Sequence, residues 1–159
     1  MKIMFAPWRM KFILESKKPI EGCILCNLLQ KENSEENLVL ARNDHSYIVI
    51  NKYPYNTAHL MVVPTTHESD FTKLSAHTMA SMSAQLQKVI SVLTEVYKPI
   101  GFNLGMNLGK AAGAGIPDHV HYHIVPRWIG DANFMPIIGE TKVLPETPEE
   151  TYQRLKQHF

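Results

Sequence analysis

The sequence is short of cysteine, of net charge and of long apolar runs, and each shortage excludes a class of protein. Two cysteines among 159 residues leave no disulfide framework of the kind that stabilises small secreted proteins. The formal net charge is +1, so no strong field draws the chain to nucleic acid or to an anionic membrane. No apolar run approaches the ~20 residues of a membrane-spanning helix.

The N-terminus also lacks the unbroken apolar stretch of a secretory signal, because charged residues interrupt MKIMFAPWRMKFI. The apolar fraction of 45% is typical of a soluble globular protein, and the length suits one domain with its own core. We therefore expect a cytoplasmic protein with no nucleic-acid or membrane partner. Its predicted divisions are an N-terminal extension (1–20), a folded domain (21–131) and a C-terminal extension (132–159).

Short apolar segments separated by turn residues predict a sheet. LVLAR and HSYIVIN are interpreted as two strands around the turn at Asn43-Asp44. Three further segments have the same character: AHLMVVP, FNLGMN and HVHYHIV, the last ended by Pro126. Because most connections are hairpin-like, the pattern favours an antiparallel α+β fold over a doubly wound parallel sheet.

Two helices complete the predicted fold. Apolar residues recur at three- and four-residue steps from Met79 to Val96, with Ser75 as cap and Pro99 with Gly101 as the stop. In the tail, Thr147-Pro148-Glu149-Glu150 is a capping box with proline at the first helical position. The expectation is one long helix against the sheet and a C-terminal helical tail.

Three histidines, His119, His121 and His123, occupy alternate positions in HVHYHIV. Alternate residues of a strand lie on one face about 6.6–6.8 Å apart, so the three imidazoles are expected side by side. A solvated polar face explains a single histidine better than three in register. Imidazole can act as nucleophile, acid, base or metal ligand near neutral pH, so the row indicates a reactive site.

A loop rich in small residues precedes this row. Residues 107–118 hold Gly109, Gly113 and Gly115 with three alanines between them. Backbone amides in such a loop can approach an anion closely, because no large side chain blocks them. The loop is not a Walker loop, since no Gly-Lys-Ser/Thr follows four variable residues. Loop and row together predict an anion held beside a nucleophile.

The two cysteines, Cys23 and Cys26, stand in GCILC and allow three interpretations. They can be two small packed residues, a redox pair, or half of a metal site. The redox interpretation needs a thioredoxin-like context, which the sequence does not show. The metal interpretation needs two more ligands from elsewhere in the chain.

HVHYHIV is similar to the motif His-φ-His-φ-His-φ-φ, with φ apolar, and residues 22–128 resemble members of the histidine triad (HIT) superfamily. Three segments, APWRMKF, NKYPYNTAHLMVVP and PRWIGDANFMPIIGETKVLPE, resemble the branch that contains diadenosine tetraphosphate phosphorylases. The resemblance implies a HIT-like α+β domain that forms a homodimer with its sheet continued across the interface. It also implies a nucleotidyl hydrolase or transferase for dinucleoside polyphosphates or related adenine nucleotides, working through a nucleotidyl-histidine intermediate.

Residue roles follow from the same resemblance. His121 matches the nucleophile that attacks the α-phosphorus. The other positions matched to the catalytic machinery are His59, His119 and His123. Positions matched to substrate binding are Asn51 near the ribose, and Asn107, Gly113 and Gly115 near the phosphates. Pro117-Asp118 departs from the small or apolar residues of many relatives, and it adds a carboxylate next to the loop.

Some members of the superfamily hold a structural zinc ion, and the resemblance implies Cys23, Cys26, His45 and His119 as ligands here. Cys₂His₂ is a ligand set that zinc accepts in closed, tetrahedral sites. By contrast, His67 and His77 are interpreted as surface residues.

Two alternatives of other classes stay open at this point. One is a nucleotide-binding regulatory protein without turnover, although pure binding needs no nucleophile at position 121. The other is a metal-binding module built on the histidine set, with no affinity for nucleotides. The sequence also leaves open whether phosphate or water accepts the nucleotidyl group.

Overall fold

The computed structural model describes residues 22–131, 133, 138–139 and 142–159, and the predicted N-terminal extension, 1–20, lies outside the described residues. The centre of the fold is a five-stranded antiparallel sheet in the order β1-β2-β3-β5-β4. The strands are β1 (Val39–Arg42), β2 (Ser46–Ile50), β3 (Leu60–Pro64), β4 (Gly101–Gly105) and β5 (Tyr122–Arg127). The predicted α+β antiparallel fold is confirmed.

The long helix, α2 (Ala76–Tyr97), packs across β2, β3 and β5. It begins where predicted, because the Ser75 side chain accepts a hydrogen bond from the Thr78 amide. Its apolar face places Met82, Val89 and Leu93 in the core with no exposed surface.

Two short helices flank this layer, α1 (Ile24–Leu29) and α3 (Pro148–Leu155). The Tyr47 hydroxyl donates to the Leu25 carbonyl at 2.8 Å, which attaches α1 to β2. The predicted capping box opens α3, and Leu155 is fully buried in the same core as the sheet. Among the described residues, no helix is long and apolar enough to cross a membrane.

Strand β5 lies between β3 and β4, and its bounds differ from the prediction. The strand begins at Tyr122, so His119 and His121 precede it, and Pro126 lies inside it instead of ending it. The β3 register ends opposite Ile124, so only β4 neighbours β5 at Pro126. A residue without an amide is tolerated where a strand has one neighbour.

Candidate active site

The pairing of β3 with β5 brings histidines from two distant segments together. Met61 lies opposite His123 in the register, and His59 stands just before β3. The His59 Nε2 and His123 Nδ1 atoms are 2.9 Å apart, and the His121 and His123 rings are 4.8 Å apart. The site is therefore not a solvated face: the four predicted catalytic histidines, His59, His119, His121 and His123, are all buried.

Hydrogen bonds fix which nitrogen of His59 carries the proton. The Tyr55 backbone amide lies 3.1 Å from His59 Nδ1, and the Asn51 side-chain amide lies 3.3 Å from it. A backbone amide can only donate, so His59 Nδ1 accepts and the proton is on Nε2. His59 Nε2–H then donates to His123 Nδ1, which leaves the His123 proton on Nε2.

The middle histidine has the opposite tautomer. His121 Nδ1 lies 2.8 Å from the His119 carbonyl oxygen and must donate to it. The lone pair of His121 is therefore on Nε2, the atom that can attack an electrophile. A backbone carbonyl in this position also stabilises the imidazolium that forms when Nε2 reacts.

Burial keeps these imidazoles neutral. It lowers the pKa of His59 to about 3, with further lowering from His123 and His121. Burial, then His121, lowers the pKa of His123 to about 4. The pKa of His121 is also lowered by burial, against the opposing effect of its bond to the His119 carbonyl. A neutral imidazole is the nucleophilic form, so the site is ready to react near pH 7.

Tyr55 forms one wall of the site. Its ring centroid lies 4.5 Å from that of His59 and 5.4 Å from that of His123, while half of the residue is exposed. The predicted ribose contact, Asn51, braces the same loop: its Oδ1 accepts from the Tyr53 amide and its backbone amide donates to the His59 carbonyl, both at 2.9 Å.

A buried polar network fixes the loop that carries Tyr55, and sequence reasoning missed it. Asn56 is 4% exposed, and its Nδ2 donates to the Pro126 carbonyl at 3.0 Å and to Asp131 Oδ2 at 2.9 Å. Asp131 is held by two bonds from Arg127, 2.6 and 2.8 Å long, which keep the pKa of its carboxyl well below the usual range. Arg127 Nη1 also reaches Asn103 Oδ1 on β4 at 2.8 Å.

The glycine-rich loop lies exposed before β5. Gly109 and Gly113 have positive φ, +79° and +86°, where larger residues are strained. In this conformation the Gly113 amide donates to the Lys110 carbonyl and the Ala114 amide to the Gly109 carbonyl. These two amides are occupied within the loop, so an anion there would have to displace internal bonds or use other donors. The predicted phosphate contacts at Asn107, Gly113 and Gly115 stay a prediction.

A second group of ligand-type side chains lies behind the histidine row, comprising Cys23, Cys26, His67 and His119. His119 Nδ1 is 3.4 Å from Cys23 Sγ and 3.5 Å from Cys26 Sγ, and His67 Nδ1 is 3.3 Å from Cys26 Sγ. Zinc–sulfur bonds of about 2.3 Å and zinc–nitrogen bonds of about 2.0 Å in a tetrahedron put sulfur and nitrogen about 3.5 Å apart. The donor set therefore fits a zinc ion.

The orientation of His119 supports the same interpretation. Its Nε2 lies 3.0 Å from the Pro64 carbonyl and must donate to it, so the Nδ1 lone pair faces the cysteines. A ligating histidine normally anchors its other nitrogen in this way.

The structure contradicts the prediction of His45 as the fourth candidate ligand, because it places His67 beside Cys23, Cys26 and His119 instead. His45 lies in the β1–β2 turn and its ring stacks on that of His77, with centroids 6.2 Å apart. His67 follows β3 by three residues, and β3 ends at the Pro64 carbonyl that binds His119. His67 is exposed, as predicted, and the register that brings it close to the cysteines cannot be obtained from sequence spacing alone.

Comparison with known proteins identifies relatives of this chain. Residues 31–128, which include His59, the triad and the glycine-rich loop, match the HIT domain family model. An AP-4-A phosphorylase of Mycobacterium tuberculosis is 40% identical over 158 residues, 96% of this chain and 81% of that protein. A bifunctional bis(5'-adenosyl)-triphosphatase/adenylylsulfatase of Arabidopsis thaliana is 36% identical over 86 residues, 54% of this chain and 47% of that protein.

Among solved structures, a Zn-bound histidine triad family protein from Mycobacterium smegmatis is similar to this chain. The TM-score is 0.67 at 26% sequence identity, and the match covers 86% of this chain and 91% of that one. The predicted HIT-like arrangement of sheet and helices is therefore confirmed.

The buried neutral histidines predict acid sensitivity. Unfolded histidine has a pKa of about 6.5, so the unfolded chain binds more protons than the folded one between about pH 6.5 and pH 4. The free energy of unfolding then falls as the pH falls through that range, by at most about 1.4 kcal/mol per pH unit for each of His59 and His123. Urea denaturation at several pH values measures this slope.

His123→Asn is expected to flatten the slope, whereas substitution of the exposed His77 leaves it unchanged. Equal slopes in the wild type and in His123→Asn would contradict the described burial.

Proposed function

The chain belongs to the HIT domain family, and on that basis we propose that it cleaves dinucleoside polyphosphates, such as diadenosine tetraphosphate, at the α-phosphate. The observation that carries the proposal is the tautomer of His121. Its Nδ1–H is bound to a carbonyl, so its Nε2 lone pair is available beside the protonated Nε2 of His123. One imidazole is set to attack and the next to donate a hydrogen bond.

The reaction proceeds in two displacements. His121 Nε2 attacks the α-phosphorus, and the bond to the bridging oxygen of the leaving polyphosphate breaks. The products of this step are a nucleotidyl-histidine and a nucleoside polyphosphate. His123 Nε2–H donates to a phosphoryl oxygen, and the His119 carbonyl stabilises the positive ring of His121. A nucleophilic side chain thus divides one difficult displacement into two easier ones.

An acceptor then attacks the same phosphorus from the face that the leaving group vacated. Inorganic phosphate releases ADP, and water releases AMP, while His121 regains its lone pair in both cases. The relative of Mycobacterium tuberculosis is named as a phosphorylase, which supports phosphate as the acceptor. Asn51 lies against His59 Nδ1, and His59 Nε2–H donates to His123 Nδ1, which keeps the proton of His123 on Nε2. Their role in this mechanism is to orient the N–H of His123 that donates to the phosphoryl oxygen.

A structural zinc ion held by Cys23, Cys26, His67 and His119 is the second part of the proposal. A zinc ion there would supply a closed cross-link and would take no part in the chemistry. Its four ligands come from the start of α1, the connection after β3 and the segment before β5. The cross-link would hold the segment that carries the nucleophile against the N-terminal helix. The Zn-bound relative of Mycobacterium smegmatis supports a metal in this fold.

The third part is a homodimer formed through β4. This strand lies at the edge of the sheet, and its sequence, GFNLG, carries no charge or proline that would discourage pairing. Leu104 is 49% exposed on it, and Ile100 just before it is 70% exposed. A second copy pairing with this edge would cover these side chains and continue the sheet.

The reaction is tested by incubating the protein with diadenosine tetraphosphate, with and without inorganic phosphate, and separating the products. We expect ADP plus ATP when phosphate is present, whereas AMP plus ATP would identify water as the acceptor. His121→Ala should lower kcat by about a thousandfold or more while nucleotide binding persists, because only the nucleophile is lost. His77→Ala is the control. Near-normal kcat in His121→Ala would exclude the mechanism, and nucleotide binding without turnover in the wild type would favour a regulatory protein.

The zinc site is tested with two histidine variants. His67→Asn should lower the zinc content of untagged protein and reduce Tm by on the order of 5 °C, because metal binding contributes to folding. His45→Asn is the matched control and should keep one equivalent of zinc per chain. Elemental analysis decides the matter: zinc below a tenth of an equivalent in the wild type, after growth with added zinc, contradicts the site.

The dimer is tested by light scattering on a sizing column. Leu104→Glu places a charge on the β4 edge and should shift the wild-type dimer towards monomer, since pairing would bury that charge. Val143→Glu, at another exposed apolar position, is the control and should leave the dimer intact. A wild-type protein that elutes as a monomer at all concentrations excludes the interface.

A further inference from the structure

The C-terminal segment reaches the wall of the active site through Lys142. The Lys142 ammonium donates to the Tyr55 backbone carbonyl. Tyr55 is the residue whose ring lies on His59 and His123 and whose amide fixes the His59 tautomer. An ammonium group from a segment outside the family-matched range is therefore bound to the residue that forms this wall.

The position of this segment is fixed from its far end. Glu146 accepts a hydrogen bond from the Tyr97 hydroxyl at 2.9 Å and from Arg154 Nε at 3.0 Å. Directly after it, Thr147 caps α3, which packs into the core. Only three residues separate this anchor from Lys142, so the lysine is held near Tyr55 by the fold as well as by its own hydrogen bond.

In the part of the chain that the structure describes, the candidate site has few positive charges to bind an anionic substrate, and an ammonium group would supply one. A dinucleoside polyphosphate is strongly anionic, whereas His59 and His123 are neutral because burial lowers the pKa of each. The Arg127 guanidinium is occupied by Asp131 and Asn103. Lys142 is exposed, and its partner is a neutral carbonyl. Replacing that carbonyl by an anionic phosphate oxygen makes both partners of the bond ionised, so the attraction between opposite charges adds to the hydrogen bond.

We propose that Lys142 binds the leaving polyphosphate, beyond the bond that breaks at the α-phosphate, and thereby makes the enzyme prefer substrates with several phosphates. The proposal rests on the proposed function of the histidine site. In the free enzyme the Tyr55 carbonyl holds the ammonium beside the site. When substrate binds, the flexible side chain of Lys142 turns from the carbonyl to the phosphates. Lys142 is then a specificity residue, because binding energy far from the reacting atom favours substrates long enough to reach it.

The experiment compares two substrates that share the attacked phosphate and differ in the leaving group. Diadenosine tetraphosphate expels a triphosphate chain, whereas adenosine 5'-(4-nitrophenyl phosphate) expels nitrophenolate and has no further phosphate. Lys142→Met should lower kcat/KM for the tetraphosphate by about tenfold, the scale of one charge-assisted bond. It should change kcat/KM for the nitrophenyl ester by less than about twofold, because that substrate has no phosphate for Lys142.

Two further variants separate binding from structure. Lys142→Arg keeps the charge and should recover most of the tetraphosphate activity, and Lys156→Met, at an exposed lysine beyond the end of α3, should match the wild type on both substrates. An equal loss on both substrates would show that Lys142 only supports Tyr55, and no loss on either would show that it does not meet the phosphates. Both outcomes overturn the proposal. If the wild type cleaves neither substrate, the proposed function itself fails, which is a different result.

Discussion

The antiparallel register between β3 and β5 is the constraint on which the two candidate sites depend. It sets Met61 opposite His123, so that His59 at the start of β3 reaches the His123 ring, and Pro64 at its other end reaches His119. A shift of one residue would turn every side chain of the strand to the opposite face and would separate both contacts. All five residues of β3 are buried, so both faces of the strand are packed and a shift would require every one of these side chains to repack. Packing of the core therefore specifies the geometry of the chemistry.

Neutrality is the second condition, and it follows from the same packing. Burial removes water from the histidines, so each imidazole loses its proton at a lower pH than it would in solution. The hydrogen bonds then determine which nitrogen keeps the remaining proton, in one direction for His121 and in the other for His59 and His123. Chemically identical side chains thus present a free lone pair at His121 Nε2 and an N–H donor at His123 Nε2.

Much of this was accessible from the sequence, and the rest depended on contacts between distant segments. The alternating histidines, the helix with its Ser75 cap and the Thr147 capping box are local patterns, and the structure contains all of them. His45 and His67 could not be told apart locally, since the choice depends on which connection passes His119.

The Asn56–Asp131 contact was inaccessible for the same reason. It joins residues 75 positions apart that lie in two different segments, so local spacing does not indicate their contact. Likewise, the sequence predicted that β5 ends at Pro126, whereas the strand continues to Arg127. Only β4 neighbours β5 at this proline, and the number of neighbouring strands is a property of the whole sheet that local sequence does not give.

His119 contributes to both candidate sites through different parts of one residue. Its side chain faces the cysteines, while its carbonyl oxygen sets the proton of His121. A carbonyl is common to all amino acids, so any substitution that preserves the backbone path preserves control of the nucleophile. A substitution at position 119 can thus remove a candidate metal ligand while the carbonyl that sets the tautomer of His121 is kept. The side chain at position 119 can therefore be exchanged while the hydrogen bond to His121 is kept, provided that the backbone path is unchanged.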